Sequence, residues 1–170
     1  MTAYVALLRA VNVGGTGKLP MPTLVKMCEA SGCEEVRTYI ASGNVVFHSR
    51  FKERKLKALL EERLASYAGK PVGVLIRTGE EMAAVLAANP FSSAPTNRTV
   101  AIFLDQVPPA RALTEVRGKR CERLALGARE IYVLYDEGMG SSKLVIPAAK
   151  AGTARNMNTI AKLAAMAAES

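Results

Sequence analysis

The stretch Ala41-Ser42-Gly43-Asn44 constrains the fold more than any other part of this chain. It separates two short runs rich in β-branched and aromatic residues, 36–40 and 45–48, and its glycine and asparagine tolerate the positive φ angles of a tight turn. Runs this close in sequence pair as an antiparallel hairpin, and the flanking segments then fall into order around it. Residues 4–8 form an apolar strand, and 11–18 a glycine-containing loop. Met21, Leu24, Val25 and Cys28 recur at helical spacing, with Pro20 and Pro22 at the entry and Gly32 as a left-handed stop. After the hairpin, Leu56, Leu59, Leu60, Leu64 and Tyr67 share one face of a helix over 52–68 that Gly69 ends. Residues 72–76 supply a fourth strand. The order strand, helix, strand, strand, helix, strand is that of the split βαβ or ferredoxin-like folds.

A helix over 80–88 and a proline-punctuated loop lead to a second round of the same pattern. It has a strand at 100–104, a short helix over 108–116, and a hairpin of 122–126 with 131–135 across Gly127-Ala128. A helix over 142–149 completes it. Where a last strand is due, Met157, Ile160, Ala161 and Ala164 mark a C-terminal helix instead. The expected fold is therefore α+β, with two ferredoxin-like βαββα halves, 1–78 and 79–170, packed as one unit. The second half is altered and carries an extra C-terminal helix.

At 170 residues, 49% hydrophobic and 22% charged, the chain has the composition of a folded globular protein. The apolar start is too short to span a bilayer and runs directly into Arg9, and no later run reaches membrane length. Cys28, Cys33 and Cys121 make neither an even set nor a CxxC pair, and His48 is the only histidine. A cytosolic protein with no metal, no cofactor and no membrane partner is the expectation. The formal net charge is +8, and residues 1–77 hold 12 basic and 6 acidic groups against 11 and 9 in 78–170. The excess lies in the first half and suits an anionic partner.

Gly14-Gly15-Thr16-Gly17-Lys18 sits between a strand and a helix, where backbone amides and a helix start hold phosphate. It is not a Walker A loop, because Asn12 and Leu19 stand where glycine and Ser or Thr are required. Pro20 breaks the dinucleotide fingerprint in the same way. A looser anion site using Arg9, Lys18 and glycine amides remains. Arg50, Lys52, Arg54, Lys55 and Lys57 form the densest basic run. Arg54, Lys55 and Lys57 are its candidates for nucleic-acid phosphate, with Tyr4 and Phe47 as stacking counterparts on the first and third strands. The signature of RNA-reading modules is missing, so nucleic acid is the less favoured partner. No nucleophile, base and orienting group emerge together, and His48 reads as a solvated strand residue.

Three stretches, Leu7-Leu8-Arg9-Ala10-Val11-Asn12-Val13-Gly14-Gly15, Thr38-Tyr39-Ile40-Ala41-Ser42-Gly43-Asn44-Val45-Val46-Phe47 and Thr153-Ala154-Arg155-Asn156-Met157-Asn158-Thr159, resemble the uncharacterised bacterial family called domain of unknown function 1697. That family usually shows an aromatic where this chain has Met157, and the resemblance brings no activity with it. It singles out Arg9, Asn12, Ser42, Asn44, Arg155, Asn156 and Asn158 as polar residues the fold alone does not require. The candidate ligand site is accordingly Arg9, Asn12, Gly14, Gly15, Lys18, Ser42, Asn44, Arg155 and Asn156, at the seam between the halves. Asn44 also suits a turn, and Asn156 a helix N-cap. The functional expectation is a small binding protein for an anionic, phosphate-containing ligand: a small molecule, a nucleotide or a nucleic acid. The competing readings are an enzyme acting on an anionic substrate and a protein-interaction module without a ligand.

Overall fold

A computed structural model of the chain describes residues 1–9, 19–40 and 43–169. It divides into two compact units, Met1–Met82 with Leu163–Ser170, and Ala83–Lys162. Each contains one four-stranded antiparallel sheet, so the architecture is mixed α+β.

In the first unit the strands are β1 (Thr2–Leu8), β2 (Glu34–Thr38), β3 (Asn44–Ser49) and β4 (Val74–Thr78), in the spatial order β2-β3-β1-β4. Helix α1 (Met21–Ala30) joins β1 to β2, and α2 (Glu53–Ala68) joins β3 to β4. Alternate residues of the strands, Tyr4, Ala6 and Leu8, Val45 and Phe47, Val74 and Ile76, form one buried face. It meets Leu24 and Cys28 of α1 and Leu56, Leu60 and Leu64 of α2. The three α2 leucines lie four residues apart, one above another on one stripe of the helix. The opposite face carries Val5, Leu7, Val46, Leu75 and Arg77, which are also buried. Burial on both faces is why β1 reads as an unbroken apolar run rather than an alternation. The hairpin of β2 and β3 is present, with Arg37 opposite Val46 and Gly43 in the left-handed region at φ 80°. Ala41 and Ser42 of its expected turn lie outside the described residues.

In the second unit β5 (Thr99–Phe103), β6 (Arg123–Leu126), β7 (Glu130–Leu134) and β8 (Thr153–Asn156) take the order β6-β7-β5-β8. This matches the first sheet strand for strand. The expectation that a C-terminal helix replaces the last strand needs correction, because β8 pairs with β5 from Phe103↔Thr153 to Val100↔Asn156 before that helix begins. Helices α3 (Gly79–Ala87) and α4 (Met157–Ala168) follow β4 and β8 respectively, so α4 is the counterpart of α3 rather than an addition.

The second unit departs from the first in its connections. The helix expected over 108–116 is a single 3₁₀ turn, Ala110–Leu113, and that expected over 142–149 shrinks to Pro147–Ala149. Pro147 lacks the amide that an α-helix spanning 142–149 needs at its centre, and the Ser142 hydroxyl accepts the Leu144 amide at 3.2 Å, holding a turn. Irregular segments nonetheless supply a core: Ala112, Leu113, Leu144, Ile146, Ala148 and Ala149 pack on Val100, Ile102, Leu104, Ile131 and Val133.

Candidate anion-binding site

Arg9 follows the last residue of β1, and its surroundings are built from three strands. Its amide donates to the Gly73 carbonyl at 2.9 Å, while the Leu8 amide donates to the Gly43 carbonyl at 2.9 Å. The end of β1 thus lies between the starts of β3 and β4. The Arg9 side chain runs along Gly73: a Cβ at that glycine would stand 2.8 Å from Arg9 Cδ and 3.6 Å from a terminal guanidinium nitrogen. Glycine therefore makes the slot in which the arginine lies. The turn bearing that slot is fixed from outside by α2. Glu61 Oε2 accepts the Val74 amide at 2.9 Å and the Lys57 ammonium at 2.9 Å, and Lys57 also donates to the Val74 carbonyl. Both backbone groups of an edge-strand residue are satisfied by side chains.

Asn44 is fully buried in register with Leu7. Its Nδ2 donates to the Tyr39 carbonyl at 3.0 Å, and its own carbonyl accepts the Tyr39 amide at 3.0 Å, so it ties the hairpin shut. Beside it Ile40 adopts φ 47° while 55% exposed. A β-branched residue in the left-handed region is strained, and such strain collects where a loop is held for a purpose. Arg9, Gly43, Asn44 and the strained Ile40 therefore gather at one end of the first sheet. Asn12, Gly14, Gly15, Lys18 and Ser42 lie outside the described residues.

Arg155 and Asn156 belong to the second unit. Asn156 Oδ1 accepts the Thr159 amide at 2.9 Å and caps α4. Arg155 donates to Thr153 Oγ1 at 2.7 Å and to the Ala154 carbonyl at 2.9 Å, and burial pulls its guanidinium down to about 10. An arginine missed in the sequence stands in the same place in the first unit. Arg77 pairs with Val5 as Arg155 pairs with Ala101, and each immediately precedes a helix cap. Thr78 caps α3 reciprocally with Glu81, at 3.1 and 2.8 Å. Arg77 is 1% exposed and donates to the Ile76 carbonyl at 3.0 Å. The signal for it was legible as arginine directly before a cap residue, in Arg77-Thr78 and again in Arg155-Asn156.

Of the basic run, Arg54 is exposed, the Lys55 ammonium sits 4.0 Å above the Phe51 ring, and Lys57 is engaged by α2 and β4 as above. Tyr4 and Phe47 are buried against each other with ring centroids 5.9 Å apart, so neither presents a face to a base. His48 is not solvated: its side chain is 12% exposed. Its Nδ1 lies 3.0 Å from Glu35 Oε2, within ion-pair distance but without hydrogen-bond alignment. Glu35 itself has φ 52° at the irregularity between Glu34 and Arg37. Among the described residues no group of three or more His, Cys, Asp or Glu could hold a metal ion. Among the same residues no helix is long and apolar enough to cross a membrane.

Taken together these features describe an α+β protein of two sheets with the same strand order, carrying a held arginine at the end of the first strand. The chain belongs to the family described as protein of unknown function (DUF1697), whose model matches residues 1–132. It is similar in structure to the conserved bacterial protein SP0830 from Streptococcus pneumoniae, with a TM-score of 0.76 and 25% sequence identity over 98% of both chains. No curated protein matches it.

Proposed function

We propose that this is a cytoplasmic binding protein for a small phosphate-containing anion, and that Arg9 is the residue that meets it. The observation that carries this reading is the seating of Arg9 along Gly73, in a slot that any side chain at position 73 would fill. An arginine whose stem is laid in a groove has fewer rotamers to lose when its guanidinium takes a phosphate by paired donors. The strained Ile40 in the hairpin that Asn44 closes and the net charge of +8 support the same end of the sheet and the same sign of ligand. The glycine-containing loop and Lys18 follow Arg9 directly in the chain and would add amide and ammonium donors.

The reading also takes residues 1–78 and 79–170 as two ferredoxin-like halves, the second derived from the first by duplication. Matching strand order, the paired arginines Arg77 and Arg155 and the helix caps beside them support it. Glu130 repeats Asn44 as well. It is buried at the start of the second strand of its hairpin, and its carboxylate accepts the Arg129 amide at 3.1 Å.

Thermal denaturation with pyrophosphate and nucleoside monophosphates tests the proposal, because a ligand that binds only the native state raises the melting temperature. The native chain should respond, and Arg9→Gln should lose the response while unfolding at nearly the same temperature unliganded. No response from the native chain to any of these anions at millimolar concentration would sink it.

A further inference from the structure

The turn that stops α1 holds two thiols together. Gly32 is left-handed at φ 87°, its amide donates to the Glu29 carbonyl at 3.2 Å, and the Cys33 amide donates to the Cys28 carbonyl at 3.0 Å. This crossed pair of bonds is a Schellman stop, which lays the side chain just beyond the turn against the one in the last full turn of the helix. Two aliphatic side chains usually make that contact. Here they are Cys28 and Cys33, both buried, both free, and within hydrogen-bonding contact of one another. The backbone bond and the contact between the thiols hold the two residues as close neighbours, as a disulfide requires.

The pair is also shielded. The Phe51 ring lies over Gly32, within 2.5 Å of where a Cβ would stand, and the Lys55 ammonium covers that ring. The Ser49 hydroxyl donates to the Gly32 carbonyl at 3.0 Å and fixes the turn from β3. The contact with Cys33, together with burial, pushes the Cys28 thiol up, so the Cys28 sulfur is not a ready nucleophile while the turn stays closed.

We propose that Cys28 and Cys33 are a dithiol site that low-molecular-weight disulfides oxidise to an intramolecular disulfide, latching the end of α1 to the start of β2. The Cys33 thiolate, formed by loss of its proton, attacks one sulfur of the small disulfide and expels the other half as a thiolate. The Cys28 thiolate then attacks the Cys33 sulfur of the mixed disulfide and expels the second half. Two protein thiols and one small disulfide become one protein disulfide and two small thiols, the two protons passing to the released thiolates.

The test is to incubate the full chain with oxidised glutathione, without denaturant, at neutral and alkaline pH, and to map the products under non-reducing conditions. The expected product is a Cys28–Cys33 crosslink lacking two hydrogens and retaining no glutathione, forming faster as pH rises. Phe51→Leu should raise that rate about tenfold by easing the opening of the turn. Cys33→Ser should abolish the crosslink. Glutathione stably retained on Cys33 beside a free Cys28 thiol would overturn the proposal, as would crosslinking seen only after the chain is denatured. An unchanged rate in Phe51→Leu would refute the access route through the ring.

Discussion

Replacing Gly73 by alanine separates the two things that glycine does here. Its φ lies outside the left-handed region, so alanine meets no backbone penalty and removes conformational freedom from the unfolded chain, a gain of about 0.4–1 kcal/mol. Against that, the new Cβ would stand 2.8 Å from Arg9 Cδ, well inside contact distance. The atom met is far along a flexible side chain, so the arginine swings away at a cost of about 0.5–1.5 kcal/mol for a displaced rotamer. The two effects nearly cancel, and stability should change by less than about 1 kcal/mol in either direction. With an m-value of about 2 kcal/mol/M the urea midpoint should move by no more than about 0.5 M. The affinity for phosphate-containing anions, measured by titration calorimetry, should fall at least about tenfold because the guanidinium has left its slot. Retention of full affinity would refute the claim that the slot holds Arg9 for a ligand. A loss of several kcal/mol in stability would refute the claim that only a side chain is displaced.

Asn156→Ala should cost about 1 kcal/mol by removing the cap on the Thr159 amide, whereas Asn156→Asp should keep the cap. Chemical denaturation of both variants checks this, and equal losses would mean that the side chain acts otherwise. Tyr132 donates its hydroxyl to the Val85 carbonyl at 2.7 Å, and burial pushes it up to about 12. The folded state therefore keeps a proton that the unfolded chain gives up near pH 10, so this tyrosine's contribution to stability is level below that point. It should fall by up to about 2–3 kcal/mol as pH rises from there toward 12. Tyr132→Phe should lose about 1 kcal/mol near neutrality and make the alkaline decline shallower by this residue's share, Tyr4 and Tyr135, also pushed up by burial, keeping theirs, as read by denaturation at a series of pH values.

The sheets were legible where the chain alternates clear turn residues with β-branched runs. The Ser42-Gly43-Asn44 and Gly127-Ala128 hairpins announce themselves through glycine and asparagine, and α2 through leucines four apart. β8 was not legible, because Thr-Ala-Arg-Asn has neither apolar alternation nor length; it is a strand only because the β5 edge is there to pair with it. The short connections of the second unit were overread as helices, since Leu144, Ala148 and Ala149 have helical spacing while Pro147 forbids the continuation. At the site, Arg9 and Asn44 could be singled out from the sequence, but not Gly73 or Glu61. Their roles depend on which backbone lies beside the end of β1, and nothing local to either residue carries that information. Arg77 escaped for a different reason: a lone arginine in an apolar run looks like a strand end, and only its repetition at Arg155 makes it a pattern.

The division of the chain also governs when the first unit can be finished. Residues 163–170 count with the first 82, and Arg37 on β2 donates to the Met166 carbonyl and to Glu169 Oε2, both at 2.8 Å. These bonds span 129 and 132 residues of sequence. On the ribosome, all four strands of the first sheet are in hand early, yet the acceptors that Arg37 meets arrive only when the end of α4 has been synthesised. Folding unit by unit in order of synthesis leaves these two bonds to be made last. The last turn of the last helix is the final piece of the first-made unit.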